Sequence, residues 1–216
     1  MLSKPQIQWA VQQMEKVFPN QTHTELIGST PFQILVAIML SAQATDASVN
    51  RVLPKLFHDY PDAQAMAAAP ESRIQADIHS IGLSKTKAHR LKTMSQQLLD
   101  EYQGHVPDNR KDLMSLPGVG RKTANVVLGD AFGIPAFGVD THITRISKRL
   151  PIVPENASVD QVEAALEAAL PQTEWIQAHH TMVLFGRNVC KARNPECATC
   201  PLLKICATGQ KLTQTK

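Results

Sequence analysis

Apolar positions recur at spacings of three and four along almost the whole chain, and no stretch alternates apolar with polar residues between hairpin-forming turns. The pattern predicts an all-helical protein, with helices near 5–18, 31–42, 46–59, 71–79, 85–102, 110–115, 120–132, 142–149, 159–169 and 174–189. Start signals support several of these. Thr30-Pro31-Phe32-Gln33 combines an N-cap, a proline at the first helical position and a capping-box glutamine, and Ser158-Val159-Asp160-Gln161 repeats the box. The clearest breaks are Phe132-Gly133-Ile134-Pro135 and Leu150-Pro151-Ile152-Val153-Pro154. Residues 26–45 carry no charge, yet Pro31, Gln33, Ser41 and Gln43 interrupt them and leave only Ile34–Leu40 continuously apolar. A membrane span needs about 20 such residues, so no membrane association is expected. The N-terminus, MLSKPQIQW, lacks the charged start and apolar run of a signal peptide, which places the chain in the cytoplasm.

Composition narrows the class. With 216 residues, 43% hydrophobic, 19% charged and a formal charge of +3, the chain is neither disordered nor a histone-like polycation, and it can build a core without disulfides. The distribution of charge is more informative. Residues 1–80 hold 5 basic and 7 acidic side chains, 81–150 hold 11 and 6, 151–180 hold 0 and 5, and 181–206 hold 4 and 1. Two basic segments around an acidic one suit a polyanion met by two particular surfaces; solvated helix faces would give the same count.

Cys190, Cys197, Cys200 and Cys206 form C-x6-C-x2-C-x5-C, four thiols within 17 residues. Such clustering marks a metal site rather than a disulfide framework, and the spacing alone admits either zinc or an iron–sulfur cluster. Lys191 and Arg193 lie in the six-residue loop between the first two cysteines. A loop pinned by metal presents cations to phosphates at little entropic cost, although the same cations would also offset thiolate charge.

Leu116-Pro117-Gly118-Val119-Gly120-Arg121-Lys122 separates a short predicted helix from a longer one. Glycines at 118 and 120 permit positive φ and leave N–H groups open to a phosphate at the following helix N-terminus. LPGVG between helices is the helix-hairpin-helix signature of sequence-independent DNA backbone binding. On the next helix Ala124, Val127, Leu128 and Ala131 share the core-facing stripe, which puts Lys122 on the opposite side, with Val126 and Gly129 beside it as a groove wall. Asp140 stands where another helix begins, and reads either as an N-cap or as a chemical carboxylate.

With these features together, the chain resembles the endonuclease III family of the helix-hairpin-helix, Gly/Pro-Asp superfamily of DNA glycosylases. The resemblance is carried by MLSAQATD at 39–46, IGLSKTKA at 81–88, LPGVGRKTANVVL at 116–128, VDTHITR at 139–145 and the cysteine spacing. It implies a six-helix barrel domain over 24–134, an iron–sulfur domain formed by 1–23 plus 135–216, and DNA across the cleft between them. It also implies a [4Fe-4S] cluster on the four cysteines. Double-stranded DNA containing damaged pyrimidines or abasic sites is then the partner, engaged by a monomer, nucleoid-associated if bacterial. Lys122 becomes the nucleophile and Asp140 its catalytic carboxylate. Gln43 and Leu83 fill the gap left by the extruded nucleotide, and Gly118, Val119, Gly120, Arg121, Lys191 and Arg193 meet the DNA. The 5% aromatic content agrees with an aliphatic and amide wedge rather than a stacking platform. Lysine at 122 argues against the related adenine-specific mismatch glycosylases, which lack it. Hairpin and cluster alone would also suffice for a non-catalytic DNA-binding or redox-sensing protein. Asp46 and His142 fall in family-like motifs but are explained by helix capping and polar packing. A 2+ cluster on four thiolates would lower the formal charge from +3 to +1, so the two basic segments matter more than the total.

The implied chemistry constrains both residues. A lysine of pKa about 10.4 is neutral only about four times in ten thousand at pH 7. A helix N-terminus supplies about 0.3–1 kcal/mol, less than one pKa unit, so desolvation must supply more. A nearby carboxylate would favour the ammonium form and act the wrong way. Asp140 is therefore expected to act later, accepting a proton and stabilising positive charge on the sugar.

Overall fold

The computed structural model describes residues 1–214, and the last two residues of the expected 135–216 segment lie outside the described residues. The helices are α1 (Lys4–Val17), α2 (Pro31–Ser41), α3 (Asp46–Asp59), α4 (Ala63–Ala68), α5 (Glu71–Asp77), α6 (Ser84–Tyr102), α7 (Arg110–Ser115), α8 (Arg121–Phe132), α9 (Thr141–Arg149), α10 (Val159–Ala169), α11 (Trp175–Asn188) and α12 (Ala207–Gln214). Short 3-10 turns occupy Gln172–Glu174, Cys197–Thr199 and Leu203–Ile205, and no strand occurs among the described residues. The chain divides into two compact units, Glu25–Ile134 and Met1–Thr24 with Pro135–Lys216.

In the first of these, α2 is the core helix. Its uncharged sequence buries Phe32 and every residue from Leu35 to Leu40 against α3, α6 and α8, as a helix apolar on all sides must. Among the described residues no helix is long and apolar enough to cross a membrane. The Thr30 hydroxyl accepts the Gln33 N–H at 3.2 Å, while the Gln33 side chain reaches back to the Ser29 N–H at 3.0 Å, one residue beyond the expected box. Thr45 rather than Asp46 caps α3, accepting the Ser48 N–H at 3.2 Å. The periodicity gives six helices here and the structure adds α4, too short and alanine-rich to show a stripe. Asp62 caps its start, accepting the Ala65 N–H at 2.8 Å, and Lys92 of α6 donates to the carbonyls of Ala67 and Ala69 at its end, both at 2.6 Å.

The second unit packs α1, α9, α10 and α11 around Met14, Phe137, Ile143, Leu166, Met182 and Phe185. The capping box of α10 forms as expected: the Ser158 hydroxyl accepts the Gln161 N–H (3.2 Å) and the Gln161 side chain accepts the Ser158 N–H (2.8 Å). Gly186 lets α11 approach α9 closely, since a Cβ there would lie 2.7 Å from the His142 Cβ. The Cys190–Cys206 segment contributes two 3-10 turns and a single buried residue, Leu202.

Candidate functional site

The hairpin joins α7 to α8. Leu113, Leu116 and Val119 are buried beneath it, and the Val119 N–H donates to the Leu116 carbonyl at 3.1 Å. Only one of its glycines uses a left-handed backbone. Gly118 has φ +85°, and a Cβ on it would meet the Arg90 Cδ at 2.8 Å and the Met39 Cε at 3.1 Å. Gly120 has φ −91° and is the N-cap of α8, with no atom within 4 Å of where its Cβ would be. Its role is openness, which leaves the N–H groups at the start of α8 approachable. Of the two properties expected of these glycines, Gly118 uses positive φ and Gly120 only the openness.

Arg121 and Lys122 begin α8 and are exposed. Val126, expected beside Lys122 on a groove wall, is instead buried together with Asn125, because α8 packs against both α2 and α7 and so buries more than one stripe.

Gln43 and Leu83 share an unusual backbone. Both lie in the left-handed region, at φ +56° and +63°, and both are exposed, Leu83 to 59%. They border one hollow, together with Met39, Lys87, Arg90, Gly118 and Thr123. The structure thus brings the expected gap-filling pair and the first hairpin glycine around one hollow. The missed participant is Lys87, only 6% exposed, whose ammonium donates to the Leu40 carbonyl at 2.8 Å. Burial pushes its pKa below the usual lysine value. A signal existed: Lys87 falls in line with the buried stripe Leu91, Met94 and Leu98 of α6.

In the other unit Asp140 is the N-cap of α9. One carboxylate oxygen, Oδ1, accepts the N–H groups of His142 (2.8 Å) and Ile143 (2.9 Å), a grip that leaves Oδ2 uncommitted. The same helix holds the cysteine segment. Arg145 donates to the carbonyls of Cys190 (2.9 Å) and Gly186 (2.7 Å), and Arg149 to those of Lys191 (2.7 Å) and Ala192 (3.2 Å). Both arginines counted toward a basic segment in the sequence, yet they are spent on backbone. Lys191 pairs with Glu196 at 2.7 Å, while Arg193 in the same loop is exposed.

Cys190, Cys197, Cys200 and Cys206 line one hollow with Arg149, Leu203 and Leu212. None is in a disulfide. Burial pushes the thiols of Cys200 and Cys206 up, and the other sulfurs add to the shift; the Gly209 N–H, donating to the Cys206 Sγ at 3.3 Å, opposes it. Burial and mutual repulsion thus disfavour thiolates here in the absence of a cation between them. Among the described residues no group of three or more His, Cys, Asp or Glu is arranged to hold a metal ion. Four cysteines around one hollow are a donor set that suits a thiolate-bound metal centre.

A helical chain with this hairpin, a left-handed turn pair and a four-cysteine hollow matches the family described as HhH-GPD superfamily base excision DNA repair proteins, over residues 36–172. Endonuclease III of Bacillus subtilis is 46% identical over 211 residues, covering 98% of this chain and 96% of that protein. Endonuclease III of Escherichia coli K12 is 43% identical over 197 residues, covering 90% and 91%. A solved structure of a trapped endonuclease III–DNA covalent intermediate, an estranged-adenine complex, superposes with a TM-score of 0.95 at 47% identity, covering 99% of this chain and all of that one. The chain belongs to the endonuclease III family of this superfamily.

Proposed function

We propose that this chain removes oxidised pyrimidines from duplex DNA as a bifunctional N-glycosylase and cuts 3′ to the resulting abasic site through Lys122. The observation that carries the reading is an exposed lysine at the second position of α8, directly behind an open LPGVG hairpin, in a chain of the endonuclease III family. The Lys122 Nζ attacks C1′ of the damaged nucleotide. The glycosidic bond breaks and its electron pair leaves with the base, which takes up a proton; the attached amine gives up one proton, and its lone pair then opens the C1′–O4′ bond, O4′ being protonated as the C1′=N Schiff base forms. Loss of a proton from C2′ then expels the 3′ phosphate by β-elimination. Asp140 accepts a proton and stabilises positive charge on the sugar through the oxygen its helix cap does not use. The target base is inaccessible within a duplex, so Gln43 and Leu83 fill the gap its extrusion leaves. Gly118, Val119, Gly120 and Arg121 hold the backbone at the hairpin, and Arg193 with Lys191 meets it from the cysteine loop. Action on chromosomal DNA supports a cytoplasmic protein, nucleoid-associated if bacterial.

The four cysteines fit a [4Fe-4S] cluster, and Cys190, Cys197, Cys200 and Cys206 would hold it. Bound there, it supplies four iron–thiolate links that close the segment, with no iron left open to substrate.

Borohydride reduction tests the reaction. Incubation with a labelled duplex bearing an oxidised pyrimidine is expected to give a covalent protein–DNA product, and its absence overturns the reading. Asp140→Asn separates the second role, because asparagine caps helices as well as aspartate and should leave α9 intact. Base excision is expected to fall by about 10²–10³-fold, within the range for a lost acid–base group. The pH profile of imine formation on an abasic site should not move. Undiminished excision would remove Asp140 from the chemistry.

A further inference from the structure

We propose that Lys87 is a positioning residue for nucleotide extrusion, a strut that fixes the spacing between the turn carrying Gln43 and the turn carrying Leu83. The inference rests on the reading of those two residues as the gap-filling pair. Leu83 occupies the N-cap position of α6 at φ +63°, ψ +30°, where a helix normally begins from extended backbone. Gln43 follows α2 at φ +56°. A left-handed backbone at a residue other than glycine costs roughly 1–2 kcal/mol and persists only where the surroundings enforce it. Through its side chain Lys87 ties the first turn of α6, which follows Leu83, to the end of α2, which precedes Gln43. Its backbone N–H donates to the Leu83 carbonyl at 2.9 Å, and its ammonium donates to the Leu40 carbonyl at 2.8 Å.

The second bond has a local cause. In a continued helix the Leu40 carbonyl would accept the Ala44 N–H, but the chain tightens and that N–H goes to Ser41 at 3.1 Å. The carbonyl left over sits at the negative end of α2, three residues before Gln43, and a buried cation is the group that end favours. Lys87 is 6% exposed, and no carboxylate is among its hydrogen-bond or ion-pair partners. A methionine would fill the same space without taking a charge out of water, so the lysine is explained by the carbonyl it holds rather than by packing.

Lys87→Met removes the strut and Lys87→Arg retains a charged donor. Single-turnover base excision from a lesion duplex is compared with cleavage of an abasic site in a single strand, which needs no extrusion and leaves no gap. For Lys87→Met the duplex-to-single-strand rate ratio is expected to drop about 10- to 100-fold, the scale of an ångström-level misplacement. Lys87→Arg should recover most of it. A ratio unchanged in Lys87→Met overturns the proposal, as does a loss equal on both substrates. Lys87→Gln, neutral and shorter, replaces the methionine variant if that chain is insoluble, with the same expectation. Leu83→Ala separates the two levels. If it leaves duplex excision intact, the gap-filling reading fails; if it impairs excision while the Lys87 ratio holds, the strut alone fails.

Discussion

Lys122→Ala is expected to give a protein that binds lesion DNA and does nothing to it: no borohydride-trapped product, no strand cleavage at a preformed abasic site, and base excision lower by on the order of 10⁴-fold or more, as when a nucleophile is removed from other covalent enzymes. The change should be chemical rather than structural. Lys122 is exposed at the second position of α8, and alanine is the best helix former, so the buried side of that helix, Ala124 through Leu128, keeps its packing. Circular dichroism and a melting temperature within a few degrees of wild type would establish this. DNA affinity should change little, since one cation among several is lost. Two results are decisive against the assignment. Trapping that survives would place the amine elsewhere, and base release at the wild-type rate without strand cleavage would mean that water is the nucleophile.

The second large effect concerns the cysteines. Cys197→Ala or Cys200→Ser is expected to lose iron, about four atoms per chain in the wild type, together with the folded state of the segment that contains them. From Lys191 to Cys206 only Leu202 is buried, so hydrophobic burial there stabilises almost nothing. The polar contacts are few: the grip of Arg145 and Arg149 on three carbonyls, the Gln210 amide on the carbonyls of Leu203 and Lys204, the Glu196 N–H on the Val189 carbonyl, and an exposed Lys191–Glu196 pair worth at most about 1 kcal/mol. A segment so poor in contacts depends on metal for its fold, as small metal-held domains do. Loss of about 5 kcal/mol would lower the melting temperature by roughly 10–20 °C for a chain of this size. Limited proteolysis should cut first between residues 190 and 206. A variant that is colourless, iron-free and as stable as wild type would end the proposal that these four thiols hold a structural cluster.

Much of this architecture is legible in the sequence because helices are local. Most helix ends fall within a residue or two of the apolar pattern, since caps such as Thr30 and Ser158 act through neighbours three positions away. The helix α4 escapes because Ala63–Ala68 offers one bulky apolar residue, Met66, and a six-residue helix has too few turns to show a period. α12 escapes for the same shortness. The candidate site divides along the same line. Gln43, Leu83, the hairpin and the four cysteines are marked by motifs, but the partners of Lys87, Lys92 and Arg145 lie 47, 25 and 45 residues away, and no local pattern reports them. This is also why a charge count misleads here. Basic residues that look like a DNA surface include several that close the ends of helices or hold a loop, and of the two glycines that permit positive φ Gly118 uses it while Gly120 serves openness alone.

The two left-handed turns have a consequence for how such a protein searches. Damaged nucleotides are rare, so nearly every encounter along a chromosome is with an intact pair, and a rearrangement required at each visit would be repeated at every one of them. Gln43 and Leu83 stand exposed on left-handed backbone in the chain without DNA. On the proposed reading of this pair as the gap fillers, the cost of shaping the probe is met once, when the chain folds, and inspection of each pair would proceed at the speed of encounter rather than of conformational change.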